Sequence, residues 1–200
     1  MTETVALDGT SSILIYGAQL EAGSTPSSYM PTEGATFTRA AETLTVAAAD
    51  LPYSSTAMGI QMQGTMTRAV ENASVTAMPI RWSLDGNNQI RIWHDSSIAG
   101  GGVRWDFDQE ENNVIDQVSS GYIDPFGINV PFNIASRHGS TFINGAVDGT
   151  ALTANTTPTA LPDLSATNLQ LGYDFMGTID EFRMWGGMDI GDTTIAQATA

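Results

Sequence analysis

Two stretches near the end of the chain decide the fold: residues 140–147, STFINGAV, and residues 169–185, LQLGYDFMGTIDEFRMW. In the first, Phe142 and Ile143 run into Asn144 and Gly145, a pair suited to a type I′ hairpin turn, where both central residues need positive φ. In the second, Leu169 and Leu171 alternate with polar residues, a turn containing Gly177 follows, and Phe182 and Met184 resume the alternation before Trp185. Together they read as a hairpin feeding closing strands. Asp180 and Glu181 interrupt the alternation between Ile179 and Phe182, which points to a β-bulge.

The same period of two runs back to Thr43. TLTVAAA gives a first strand, and in MGIQMQGTMTR the side chains of Met58, Ile60, Met62 and Met66 share one face, opposite Gln61, Gln63, Thr65 and Thr67. PIRWSL turns through Asp85 and Gly86 into QIRIWH, setting Ile80, Trp82 and Leu84 against Ile90, Ile92 and His94. GVRWDFD groups Val103, Trp105 and Phe107. With NVIDQVS and PFNIAS, about ten strands follow one another at the spacing of a sandwich. Asp192 can cap a short helical turn through Ile195 and Ala198. The expected fold is all-β, an antiparallel jelly-roll sandwich over residues 42–200. Trp82, Trp105 and His94 fall on the core register, and His138, beside Gly139, suits a turn.

The NG pair followed by the pattern LxxGxxFxGxIDExRxW resembles the C-terminal part of laminin-G-like, concanavalin A-like jelly rolls, above all those of tailed-phage virion proteins. The wording YGAQLEAGSTPSSYMPTEGATFTRAAE, residues 16–42, resembles a segment frequent in phage tail and capsid-associated proteins, where it closes one jelly roll and leads into the next. In this sequence only residues 1–15 come before it, too few for a jelly roll. Residues 13–20, ILIYGAQL, have strand-forming composition, but an isolated strand is unstable alone. Residues 1–41 are therefore expected to be an extended arm with Ile13, Ile15, Tyr16, Leu20 and Tyr29 as anchors, the alternative being a strand left from a domain cut away. Such an exposed strand finds its partner on a neighbour.

Composition narrows the field. The chain has 200 residues, enough for one β-domain that buries roughly 70% of its unfolded surface without help from a disulfide. It has no cysteine, so thiol nucleophiles and thiolate metal sites are out. Twenty-two acidic residues face seven basic ones, all arginine, for a net charge of −15. Nucleic acid and anionic membrane surfaces, which call for clustered Lys and Arg, are not expected partners. The start lacks a basic and apolar leader, and no stretch reaches the ~18 apolar residues of a membrane span. There is no P-loop, dinucleotide fingerprint, zinc spacing or G-x-S-x-G nucleophile elbow.

Three groups of residues carry possible chemistry. Asp106, Asp108 and Glu111 in WDFDQEE resemble the ExDxxE motif of jelly-roll glucanases, with Asp in place of the first Glu. A retaining glycosidase needs its carboxyl groups ~5 to 5.5 Å apart, and Asp is a methylene short, so a solvated acidic strand end is the default. The same three carboxylates offer oxygens for Ca²⁺, although no cofactor is required. Aromatic rings bind sugars by stacking while carboxylates and amides take the hydroxyls. Trp93, which alternation sets with Gln89 and Arg91 away from the core, heads that group, joined by Asp95. Tyr122, and Tyr173 with Asp174, sit at strand ends where loops form binding rims.

The resemblance implies a non-enzymatic protein on the surface of a phage particle, attached through its arm to other virion proteins or copies of itself and touching host or environmental glycans. Two alternatives stay open: a capsid or tail cement piece that binds no glycan, and a polysaccharide hydrolase on the same fold.

Overall fold

The computed structural model describes residues 19–20, 29–31, 34–35, 44–67, 76–95, 104–121 and 129–200, with backbone only at 76 and 95. The chain divides into two units, Met1–Ala41 and Glu42–Ala200, and the fold is that of the second. Eleven strands are described: β1 Leu44–Val46, β2 Ala57–Met66, β3 Thr76–Asp85, β4 Asn88–Asp95, β5 Arg104–Glu111, β6 Val114–Ser119, β7 Pro131–Gly139, β8 Ile143–Val147, β9 Thr150–Ala151, β10 Leu169–Tyr173 and β11 Gly177–Gly186. One helix follows, α1 Gly191–Ala198. The strands form two antiparallel sheets, one ordered β1-β10-β3-β4-β5-β6 and the other β11-β2-β7-β8-β9. This is the antiparallel jelly-roll sandwich that the strand pattern predicts.

Alternation builds the core between the sheets. Met58, Ile60, Met62 and Met66 of β2 are buried, as are Ile80 and Trp82 of β3, Ile90 and Ile92 of β4, and Trp105 and Phe107 of β5. Ile80 pairs with Ile92 and Trp82 with Ile90 across the β3–β4 hairpin. Leu84 departs from the expected register: the pairing shifts between Ser83 and Asp85, and the leucine turns out to solvent, 58% exposed. His94 is buried edge-on to Trp105, their ring centres 5.6 Å apart. Val103 lies outside the described residues.

Turn assignments change at Asn144–Gly145 and at Gly177. Asn144 and Gly145 do not make a turn; they sit in the middle of β8, paired with Arg137 and Ser136 of β7. Gly145 is glycine because a Cβ there would lie 2.3 Å from the Phe107 ring of the facing sheet. The tight turn comes four residues later, at Asp148 and Gly149, both with positive φ (44° and 83°) and flanked by the Val147–Thr150 pair. Asn112 and Asn113, φ 49° and 68°, turn β5 into β6 in the same way. Gly177 likewise opens β11 rather than forming the preceding turn, where a Cβ would meet the Thr65 carbonyl at 2.2 Å. The bulge is present: the β11–β2 register shifts between Ile179 and Glu181.

The outer face of the five-stranded sheet is covered by α1. Ile195 packs on Ala135 of β7 and Ala146 of β8. Arg137 donates to Asp192 at 2.6 Å and to Asp189 at 3.0 and 3.1 Å, Asn144 donates to Asp192 at 2.7 Å, and Gln61 and Asn133 reach the Ala198 carbonyl. Asp192 therefore fastens the helix to the sheet instead of capping it; the N-cap position is Ile190. His138 does not sit in a turn either: it lies within β7, opposite Met58, and is fully buried.

Candidate functional site

With α1 on one side of the sandwich, the outer face of the six-stranded sheet is where polar side chains collect. Register places one residue of each strand in a line across it: Thr45, Gln170, Arg81, Arg91, Asp108 and Gln117. All six are polar because the residues before and after them, such as Ile80 and Trp82 or Ile90 and Ile92, take the core side of their strands. The neighbouring row runs Trp93, Asp106, Ser119, and the one on the other side Ser83, Gln89, Glu110, Ile115.

The carboxylates of β5 form the floor of this face. Asp108 accepts the indole N–H of Trp93 at 2.7 Å, an Arg91 N–H at 2.9 Å and the Gln117 amide at 2.9 Å. Burial pushes its pKa up, against the pull of Trp93, Arg91 and Gln117, and neighbouring Asp106 adds to the rise. Asp106 accepts from Arg104 at 2.9 Å and from the Ser119 hydroxyl. Glu110 accepts from Gln89 at 2.7 Å and lies 3.5 Å from Arg91.

Asp106, Asp108 and Glu110 share this face, whereas Glu111 falls on the other. β5 runs without a register shift against either neighbour, so a five-residue step reverses the side. The expected grouping of Asp106, Asp108 and Glu111, as catalytic or Ca²⁺-holding carboxylates, is thus not assembled. Among the described residues no three His, Asp or Glu side chains are grouped to hold a metal ion.

Trp93 and Arg91 of β4 and Tyr173 of β10 lie on this face, with β3 between the two strands. Trp93 is half-buried on β4, two residues from Arg91. Strict alternation would turn Tyr173 inward with Leu169 and Leu171, but Gly172 has φ 74° and breaks it. The Tyr173 ring instead lies under the guanidinium of Arg81, 4.6 Å from its centre. Tyr173 pairs with Met78 of β3, the strand between β10 and β4, so the two aromatic residues flank it. Asp174 is exposed in the turn after β10, with φ 50°. Tyr122 lies outside the described residues, as do Ile13, Ile15 and Tyr16, and of Asp95 only the backbone is described. Leu20 is fully exposed and Tyr29 about half exposed.

Arg81, Gln170, Gln117 and Glu110 escaped the sequence reading. Their signal was available in the period of two, since Glu110 is the next outward residue after Asp108 and Arg81 lies between two core residues. Along the β6 edge the face runs into a groove of about 450 Å³ lined by Gln117, Ser119, Gly121 and residues 151–155.

The two-sheet sandwich is a fold that solved structures share. The chain is similar to domain 4 of AbnA, a GH43 extracellular arabinanase from Geobacillus stearothermophilus, in complex with arabinotriose, at a TM-score of 0.56 and 12% identity over 79% of this chain and 72% of that one. It is similar to the Ruminococcus gnavus IT-sialidase CBM40 bound to alpha2,6 sialyllactose, with a TM-score of 0.53, 12% identity and coverage of 72% and 84%. A heptameric SAP-like pentraxin from Limulus polyphemus matches at 0.53, with 7% identity and coverage of 72% and 71%. At such identities the likeness is one of fold. No family model and no curated protein matches the chain.

Proposed function

We propose that residues 42–200 form a non-catalytic glycan-binding module, and that the chain works on the surface of a tailed-phage particle. The observation that carries the first part is the outer face of the six-stranded sheet, where half-buried Trp93 and Tyr173 stand beside a line of guanidinium, amide and carboxylate groups. Rings offer a stacking surface for the apolar side of a sugar, and Arg81, Gln170 and Thr45 of the polar row, which Asp108 does not engage, offer donors and acceptors for its hydroxyls. That two of the similar folds were solved with sialyllactose and arabinotriose bound supports the same reading.

Catalysis is disfavoured by the partners of the β5 carboxylates. A nucleophile needs a free oxygen facing the sugar, but Asp108 accepts from Trp93, Arg91 and Gln117, and Asp106 from Arg104 and Ser119. The phage setting rests on the resemblance of residues 16–42 and of the NG and LxxGxxFxGxIDExRxW stretches. In that setting residues 1–41 anchor the chain to other virion proteins or to further copies of itself, and repetition turns weak glycan contacts into avidity.

A glycan array probed with the whole chain tests the binding, with Trp93→Ala expected to abolish it. Antibody to the domain should label intact phage particles, and deleting residues 1–41 should remove the label. The cement reading is favoured by one observation, the exposed apolar edge of β6, with Val114 and Ile115 45% and 54% exposed. It predicts an empty array together with particles that fail to assemble without the protein.

A further inference from the structure

Five arginines have described side chains, and four of them face carboxylates. Arg91 pairs with Asp108 and Glu110, Arg104 with Asp106, Arg137 with Asp189 and Asp192, and Arg183 with Glu181. Arg81 alone of the five has no carboxylate and donates no hydrogen bond among the described residues; its one contact of this kind is the Tyr173 ring. In a chain carrying 22 acidic residues and a charge of −15, an arginine left without an acid is the exception.

Its position makes the exception more pointed. Arg81 lies directly opposite Arg91 across the β3–β4 pair, and like charges in that arrangement repel. Asp108 and Glu110 neutralise Arg91, but they leave Arg81 untouched and the Arg91 Nε buried without an acceptor. The Arg81 guanidinium stands over the Tyr173 ring, and its N–H donors meet no acceptor among the described residues. Gln170 stands on the next strand opposite Arg81, and Trp93 lies two residues along from Arg91.

We infer that Arg81, braced on Tyr173, receives an anionic substituent of the sugar, a carboxylate or a sulfate ester, so that the ligand class is an acidic glycan. This rests on the glycan-binding reading and narrows it. A guanidinium fork matches two anionic oxygens at once, which gives it both orientation and strength over a neutral contact. The overall negative charge does not prevent this, because at physiological salt its reach is cut to about 8 Å while the contact pair is formed well inside that distance. It does disfavour a polyanion, whose many charges would lie over the acidic remainder of the surface.

Isothermal titration of the whole chain at ~0.15 M salt with three matched oligosaccharides, one neutral, one carrying uronic acid and one sulfated, decides the matter. The expected result is binding of at least one acidic form about tenfold or more above the neutral one, as a charge-assisted contact gives. Arg81→Gln should bring the acidic form down to the neutral level at an unchanged melting temperature, and Arg81→Lys should recover only part. Equal affinity for neutral and acidic sugars, or a preference that survives Arg81→Gln, overturns the inference and leaves the glycan-binding reading standing. If none of the three binds and a broad array is also empty, both fall together.

Discussion

The indole N–H of Trp93 donates to the carboxylate of Asp108 at 2.7 Å, so the ring that alternation places outward is tied to the sheet rather than free in solvent. Asp108 is itself buried and holds Arg91 and Gln117 as well. One carboxylate thus fixes the poses of three side chains on the proposed binding face. Asp108→Ala leaves Arg91 with only its longer contact to Glu110 and Trp93 without an acceptor. Removing one partner of a buried pair is expected to cost about 3 kcal/mol. The check is a urea titration read beside glycan binding, in which both stability and affinity fall; full affinity in a destabilised variant would remove Trp93 orientation from the account.

Acid should weaken the fold well above the carboxylate range. His138 is fully buried opposite Met58, with its Nε2 2.9 Å from the Ser136 hydroxyl, and burial pushes its pKa down from 6.5 to about 3. The native state keeps the ring neutral while the unfolded chain takes up a proton below 6.5. Stability is therefore complete above that value and declines as pH falls toward 3, by at most about 1.4 kcal/mol per pH unit. Asp108 acts in the other direction: its raised carboxyl is protonated in the folded state first, which adds stability as the pH descends toward 3.8. Between pH 6.5 and 5 the urea midpoint should drop, and His138→Gln should flatten that slope. A slope of the same size in the variant would assign the acid sensitivity to another group.

A methyl group at Gly145 has no room, since its Cβ would lie 2.3 to 2.6 Å from three atoms of the Phe107 ring. Gly145→Ala is expected to cost about 1–3 kcal/mol by overpacking, and pairing it with Phe107→Leu should return part of the loss. Denaturation of the two single variants and the double variant measures the coupling. Strictly additive losses would mean that the ring is not what forbids the side chain.

That glycine also explains where reading the chain succeeded and where it did not. Period-two alternation carries direct information on which residues face the core, and it placed Met58, Ile60, Met62, Ile80, Trp82, Ile90, Ile92, Trp105 and Phe107 inside, where they are buried. Asn144 and Gly145 look like a turn locally, but what selects them is nonlocal: Phe107 from the facing sheet against Gly145, and Leu152 and Asp192 bonded to Asn144. Motif spacing groups Glu111 with Asp106 and Asp108, whereas strand parity sets it on the opposite face. Period two is enough to set Arg81 on the outer face, but its contact with Tyr173 is not legible there, since it depends on Gly172, whose φ of 74° brings Tyr173 to that face.

The helix at the end of the chain is held to the sheet by few groups, so its attachment should be separable from the fold. Burial raises the Asp192 carboxyl's pKa, but hydrogen bonds from Arg137 and Asn144 and the Arg137 charge outweigh that and hold it below the usual range. The attachment is thus complete above pH 3.8 and is lost as the pH falls through the lowered value. Arg137 is only 8% exposed and also faces Asp189, so Arg137→Ala removes both ion pairs that β7 makes with Asp189 and Asp192. The expected outcome is faster hydrogen exchange confined to residues 191–198, with β2 and β7 still protected because their core face is unchanged. Ile195→Ala should loosen the helix in the same way by removing its contact with Ala135 and Ala146. Exchange that rises equally throughout the five-stranded sheet would instead make α1 an integral part of the sandwich.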